Sequence, residues 1–142
     1  MHSSIREIVV VVPVHDEAEL LQRCLMSVSA SVAAVRAPCH VRVVLDACTD
    51  ASADIAARHP FRTLRVDANA VGAARAAGVR DGLSAVSSVP AHRVWIANTD
   101  ADSIVPVNWL VAQLELAAAG ADVVVGTVRP DFDDLSGQHQ RL

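Results

Sequence analysis

The sequence predicts an α/β protein, a three-layer α/β/α sandwich in which a mostly parallel sheet is covered by helices on both faces. Three observations lead there. Short runs dominated by Val, Ile and Leu alternate with longer segments whose apolar residues recur at helical spacing. The connections between successive runs are too long for hairpins, so neighbouring strands are expected to run in the same direction. A length of 142 residues with 52% hydrophobic and 20% charged side chains suits one packed domain, able to bury about two thirds of its unfolded surface.

Taken in order, residues 7–13, EIVVVVP, form a continuous β-branched run of the kind found in strands covered on both faces, and Pro13 is expected to end it. Residues 16–36 then place Leu20, Leu21, Cys24, Leu25, Val28 and Val32 on one helical stripe, with Asp16 and Glu17 at the N-terminus, where the helix dipole favours acids. The alternation continues with strands expected at 40–46, 61–67, 92–98 and 121–129, and helices at 50–59, 70–88 and 105–120. The final stretch, PDFDDLSGQHQRL (130–142), is polar and aperiodic and reads as a loop.

Composition narrows the function. All 12 basic residues are Arg, and the net charge of -4 is spread without a basic block, which argues against nucleic-acid binding. Of the 16 acids 12 are Asp, a short carboxylate suited to turns, caps and metal ligation. Cys24, Cys39 and Cys48 have neither CxxC spacing nor the density of a disulfide framework, so they read as small thiols in a reducing compartment. The N-terminus lacks a signal peptide's basic segment and cleavage site, and its apolar run is far below the ~20 residues that span a bilayer. A cytoplasmic protein without direct membrane insertion is expected.

In open α/β sheets ligands bind outside the carboxyl ends of the strands. Those ends read PVHDE, DACTD, DANA, NTDAD and TVRPD, and acids gather there. Any one of Asp16, Asp50 or Asp67 is explained as a helix cap or turn residue, but five acidic ends in succession point to a site. The first strand does not run into the glycine-rich turn that cradles a dinucleotide, and a chain without Lys has no phosphate-binding GxxxxGK[ST] loop. Gly72 and Gly78 are explained equally well by close helix packing. In NTDAD, Asp100 and Asp102 lie two apart; in an extended segment they project to the same side and can face one ligand. A Mg or Mn ion fits such a pair, since these ions take one or two carboxylates and complete their shell with water and substrate phosphates.

These segments resemble the family 2-like glycosyltransferases of the GT-A fold. VVVVPVHDE is similar to that family's first strand and P-x-x-N-E turn, VVLDACTDAS to its D-D-G-S-x-D segment, VGAARAAGV to its G-x-x-x-A-R-N-x-G helix, and WIANTDADSIVPVNWL to its D-x-D motif with the following helix. The match runs over about residues 7–128, in order. The resemblance implies a Rossmann-like nucleotide-sugar-binding half. It implies that Pro13, His15 and Glu17 line the base and ribose pocket, Asp46 contacts the base and Arg75 the nucleotide. Asp100 would reach the ribose or metal, and Asp102 the metal bridging the diphosphate. The donor would be a nucleotide diphospho-sugar and the acceptor an unidentified hydroxyl. Three positions depart from the pattern: Asp16 replaces Asn, a single Asp46 stands where a pair is frequent, and Ala77 replaces Asn.

The family's acceptor surface and catalytic base come from a later segment, so residues 1–142 are expected to be one donor-binding domain that stops before it, with an uncovered rim able to support self-association. Trp95 and Trp109 read as core, and Arg75 has Asp67 as an alternative partner. Other classes fit less well. DADSI approximates a haloacid dehalogenase phosphatase motif, but it follows the fourth strand and no Lys is present; a nucleotidyltransferase needs a basic glycine loop after the first strand. A noncatalytic nucleotide-sugar-binding or interaction module differs from the enzyme half in lacking turnover.

Overall fold

The computed structural model describes residues 4–130. Four strands, β1 (Glu7–Val14), β2 (Cys39–Asp46), β3 (Arg62–Val66) and β4 (Val94–Asn98), form one sheet in the order β3-β2-β1-β4 with every pairing parallel. Helices α1 (Leu21–Ala33), α2 (Ser52–Ala57), α3 (Val71–Ala85) and α4 (Trp109–Ala118) connect and follow them.

The valine run builds the centre. Even-numbered Ile8, Val10, Val12 and Val14 pack with Leu21, Leu25 and Val28 of α1, Ile55 of α2 and Leu110 of α4, whereas Val9 and Val11 face Ala74 of α3 on the other side. Each of these β1 side chains is out of contact with water, and burying one Val contributes about 1.5–3 kcal/mol. The chain winds from β1 through β2 to β3 with α1 and α2 on one face, then reverses to β4 and carries α3 across the opposite face. Uniform crossover handedness demands that change of face. The result is the expected α/β/α sandwich, with β1 flanked by strands that wind away from it in both directions.

Ala74, Gly78 and Gly82 form a small-residue stripe four apart along α3, its buried side. A Cβ added at Gly78 would lie 2.5 Å from Val11 Cγ1 and 2.8 Å from Val44 Cγ2, and one at Gly82 would collide with Val9. Gly72 has open space around it. Close packing therefore accounts for Gly78, and not for Gly72.

Several boundaries differ from the sequence expectation. Glu17–Leu20 make a turn, in which the Glu17 carbonyl accepts the Leu20 and Leu21 amides, so the first helix begins later than residue 16. Pro13 does not end β1, which continues to Val14 beside Leu45. The helices expected over 50–59 and 105–120 contract to Ser52–Ala57 and Trp109–Ala118. The expected strand at 121–129 is absent: this segment has no ladder partner, and Val123 and Val125 are 77% and 86% exposed. A strand needs a neighbour to bond to, and none lies beside β4 on its outer edge among the described residues. The loop expected over 130–142 lies, apart from Pro130, outside the described residues.

Replacing Gly78 by Ala should cost about 1–3 kcal/mol, overpacking outweighing the helix propensity gained. Gly72→Ala should be neutral or stabilising by up to about 1 kcal/mol. Urea unfolding of both variants checks the pair; equal effects would contradict the close approach of α3 to β1.

Candidate functional site

The carboxyl ends of β1, β2 and β4 and the N-terminus of α3 surround a cleft of about 480 Å³. It lies where the winding reverses, the position at which open α/β sheets bind ligands. Pro13, His15, Glu17, Asp46, Arg75, Asp100 and Asp102 all line it. So do Asn69, Ala70, Val71 and Ala74, which the sequence reading did not single out; the DANA strand end before α3 was the available signal.

Asp46, 3% exposed, spends its carboxylate on the next loop. Oδ1 accepts the Ala68 and Asn69 amides at 2.9 and 2.8 Å, and Oδ2 accepts that of Ala70 at 2.9 Å. Desolvation works to raise its pKa, but these three amides, helped by His15, hold it below the ordinary carboxylate value. Asp46 thus fixes the entry to α3 and with it the wall formed by residues 69–71.

His15 is exposed and tethered, its Nδ1–H donating to the Asp46 carbonyl at 2.8 Å. That bond raises its pKa, and Asp16, Asp46 and Asp50 act in the same direction against desolvation. Glu17 is raised, first by burial and then by the charges of Asp102 and Asp50. The lining carries four acids, Glu17, Asp46, Asp100 and Asp102, against Arg75 and His15.

Asp100 and Asp102 do not lie in an extended segment. The Ser103 amide bonds the Asp100 carbonyl at 3.0 Å, closing a turn over residues 100–103 that still turns both carboxylates to the cleft wall. The segment is docked on α1: Cys24 Sγ–H donates to the Asp100 carbonyl at 3.4 Å, and Ser27 and Ser31 hydroxyls accept the Val105 and Leu110 amides at 3.0 and 3.1 Å. Burial, with Asp102 and Asp100 nearby, pushes the Cys24 thiol up to about 12, so it is a packing group and not a nucleophile. Arg75 pairs with Asp100 at 3.4 Å, not with Asp67. The Asp100 side chain is 59% exposed, and Asp102 has no hydrogen bond or ion pair among the described residues. Trp95 is buried with Nε1–H on Gln113 Oε1 at 2.9 Å, and Trp109 packs against the core, so neither faces the cleft.

Among the described residues no group of three or more His, Cys, Asp or Glu is placed to hold a metal ion. A pair of carboxylates, one unpartnered and one largely exposed, does fit an ion whose remaining ligands come from water and phosphate. No helix among the described residues is long and apolar enough to cross a membrane.

An all-parallel α/β/α sheet with an acidic cleft at its winding reversal is a doubly wound architecture with its ligand position at the strand ends. The sequence matches the family model described as glycosyl transferase family 2 over residues 9–142, and the chain belongs to that family. No curated protein matches it. Among solved structures it is similar to residues 1–349 of S. aureus TarS, with 17% identity and a TM-score of 0.57, covering 80% of this chain and 31% of that one. The shared feature is the fold, and this chain spans less than a third of that neighbour's length.

Because Asp46 has a depressed pKa when folded, its contribution to stability is fully present above the unfolded carboxylate value of about 4 and is lost as pH falls through its lower folded value. Asp46→Asn should lower the thermal midpoint by a few degrees at neutral pH and flatten the acid limb of the stability curve. Thermal unfolding followed across pH checks both; parallel curves for the two proteins would contradict the assignment.

Proposed function

We propose that this chain binds a nucleotide diphospho-sugar in the cleft and supplies the donor-binding half of a glycosyl transfer to an acceptor hydroxyl. The observation that carries this reading is that Asp100 and Asp102 share one cleft with Arg75, Glu17 and His15. In the proposal Pro13, His15 and Glu17 receive the base and ribose, and Asp46 shapes the base side through residues 68–70. Arg75 meets the nucleotide's charge, Asp100 takes the ribose or metal, and Asp102 takes the metal. Asp102 with Asp100 would hold Mg or Mn, which when bound offsets the diphosphate's charge and stabilises it as a leaving group.

Physical reasoning favours the ion. A carboxylate and a phosphate charge 4 Å apart repel by about 1–4 kcal/mol across plausible surface dielectrics, and this cleft offers several such pairs. Arg75 is half-exposed and can move from Asp100 to phosphate without leaving a buried charge. His15, with its raised pKa, retains positive charge nearer neutrality than a free imidazole. The acceptor and the base that deprotonates it lie outside this assignment. We place the protein in the cytoplasm, in keeping with three free thiols.

Calorimetry against a panel of nucleotide sugars, with and without Mn, tests the reading. Binding should require the ion and weaken at least about tenfold in Asp102→Ala. Equal, metal-free binding by both proteins would refute the role of Asp102, and no binding at all would refute the donor assignment. The exposed Val123, Val125 and Val128 that follow α4, together with the outer edge of β4, unpaired among the described residues, support self-association. Sedimentation should show dimers that Val125→Asp disperses; a wild-type monomer contradicts the idea.

A further inference from the structure

The loops leaving β1 and β2 are stapled together by reciprocal bonds. Asp16 reaches across, and its Oδ1 accepts both the Thr49 amide at 2.7 Å and the Asp50 amide at 3.2 Å. Asp50 reaches back, Oδ2 accepting the Ala18 amide at 3.0 Å while Oδ1 accepts that of Ser52 at 2.9 Å. The hydroxyl of Ser52, a fully buried residue, accepts the Glu17 amide at 3.0 Å. None of the three lines the cleft, yet His15 and Glu17, which do, lie on the loop they hold. Asp16 and Ala47 carry φ values of 47° and 49°, a left-handed backbone that Asp tolerates and that Ala adopts only when its surroundings impose it.

We propose that Asp16, Asp50 and Ser52 are positioning residues that hold both loops in one conformation, so that Glu17 and His15 meet the donor nucleotide preorganised. The proposal rests on the nucleotide-sugar reading of the cleft. Ligand affinity then depends on the staple more than folding does, because the loops lie outside the strand ladders and a flexible loop must be ordered anew at each binding event.

The bond pattern makes an asymmetric demand. At position 16 Oδ1 serves both amides while Oδ2 accepts the Thr49 hydroxyl at 3.4 Å; the carbonyl of Asn replaces Oδ1, its NH₂ can donate to that hydroxyl in turn, and Asn tolerates the left-handed backbone. At position 50 each oxygen takes a different amide, and the NH₂ of Asn cannot accept. Asp16→Asn should therefore bind within about twofold of wild type, whereas Asp16→Ala and Asp50→Asn should bind about tenfold more weakly, the scale of one lost hydrogen bond.

The experiment is calorimetry of these four proteins with UDP and with GDP, each with Mn, beside thermal unfolding and amide exchange at Glu17, Ala18, Thr49 and Asp50. Weakened binding and faster exchange in Asp16→Ala and Asp50→Asn at temperatures where both remain folded, with Asp16→Asn restored in both readouts, supports the proposal. Equal binding by all four, or a loss accounted for by the unfolded fraction, overturns the positioning role and leaves the donor reading standing. Failure of wild type to bind either nucleotide overturns the donor reading and the proposal together.

Discussion

Carboxylates that accept amide protons from the neighbouring loop turn the carboxyl edge of this sheet into a cleft. A parallel sheet leaves its strand exits as irregular backbone, and those amides need partners once the loops pack on one another. Asp46 supplies them to residues 68–70, Asp50 to Ala18 and Ser52, and Asp16 to Thr49 and Asp50. Left-handed residues stand at or just after the ends of three successive strands, at Asp16, Ala47 and Asn69, and in each case a carboxylate bond lies on or beside the turn. Without these bonds the edge would be a set of independent loops, and the cleft would have no fixed wall.

The acids at the strand ends therefore divide into two kinds. Asp16, Asp46 and Asp50 have oxygens engaged by backbone amides; Glu17, Asp100 and Asp102 line the cleft with no backbone amide on their carboxylates among the described residues, Asp100 being paired with Arg75. A cap or turn role for Asp16 and Asp50 was readable, but all of the amides involved except that of Ser52, two residues after Asp50, are 22 to 34 positions distant and only the fold brings them near. Clustering at successive strand ends was legible. The role of each oxygen was not, and it distinguishes a carboxylate that shapes the cleft from one that can take a ligand.

The fold was legible where one residue type meets one environment. Four Val in succession can be satisfied only in a strand covered on both faces, and β1 is that strand. Residues 121–129 carry a similar apolar content, yet they form no strand, because a ladder also needs a neighbour and the outer edge of β4 provides none among the described residues. Helix ends were misjudged for a related reason. The apolar stripe of α1 extends back to Leu20, but the Ser52 hydroxyl at the start of α2 and the Asp50 carboxylate just before it capture the Glu17 and Ala18 amides and hold those residues in a turn. Periodicity reports which face is buried and says nothing of tertiary caps.

The D-x-D segment reaches the cleft wall by a route other than the extended geometry expected from its spacing. Extended geometry would have projected Asp100 and Asp102 to one side; the observed turn does so by another route, with Ala101 buried beneath it and α1 holding the backbone through Cys24, Ser27 and Ser31. That docking ties the two carboxylates to the helix that packs on β1, the most buried strand in the molecule. Burial raises Glu17 first and the charges of Asp102 and Asp50 add to it, so a positive charge entering the cleft would favour its ionised form. Arg75 pairs with Asp100, and Asp102 has no protein partner among the described residues. A carboxylate with no protein partner among the described residues, at the winding reversal of a parallel sheet, is the feature on which the proposed cation and its anionic ligand rest.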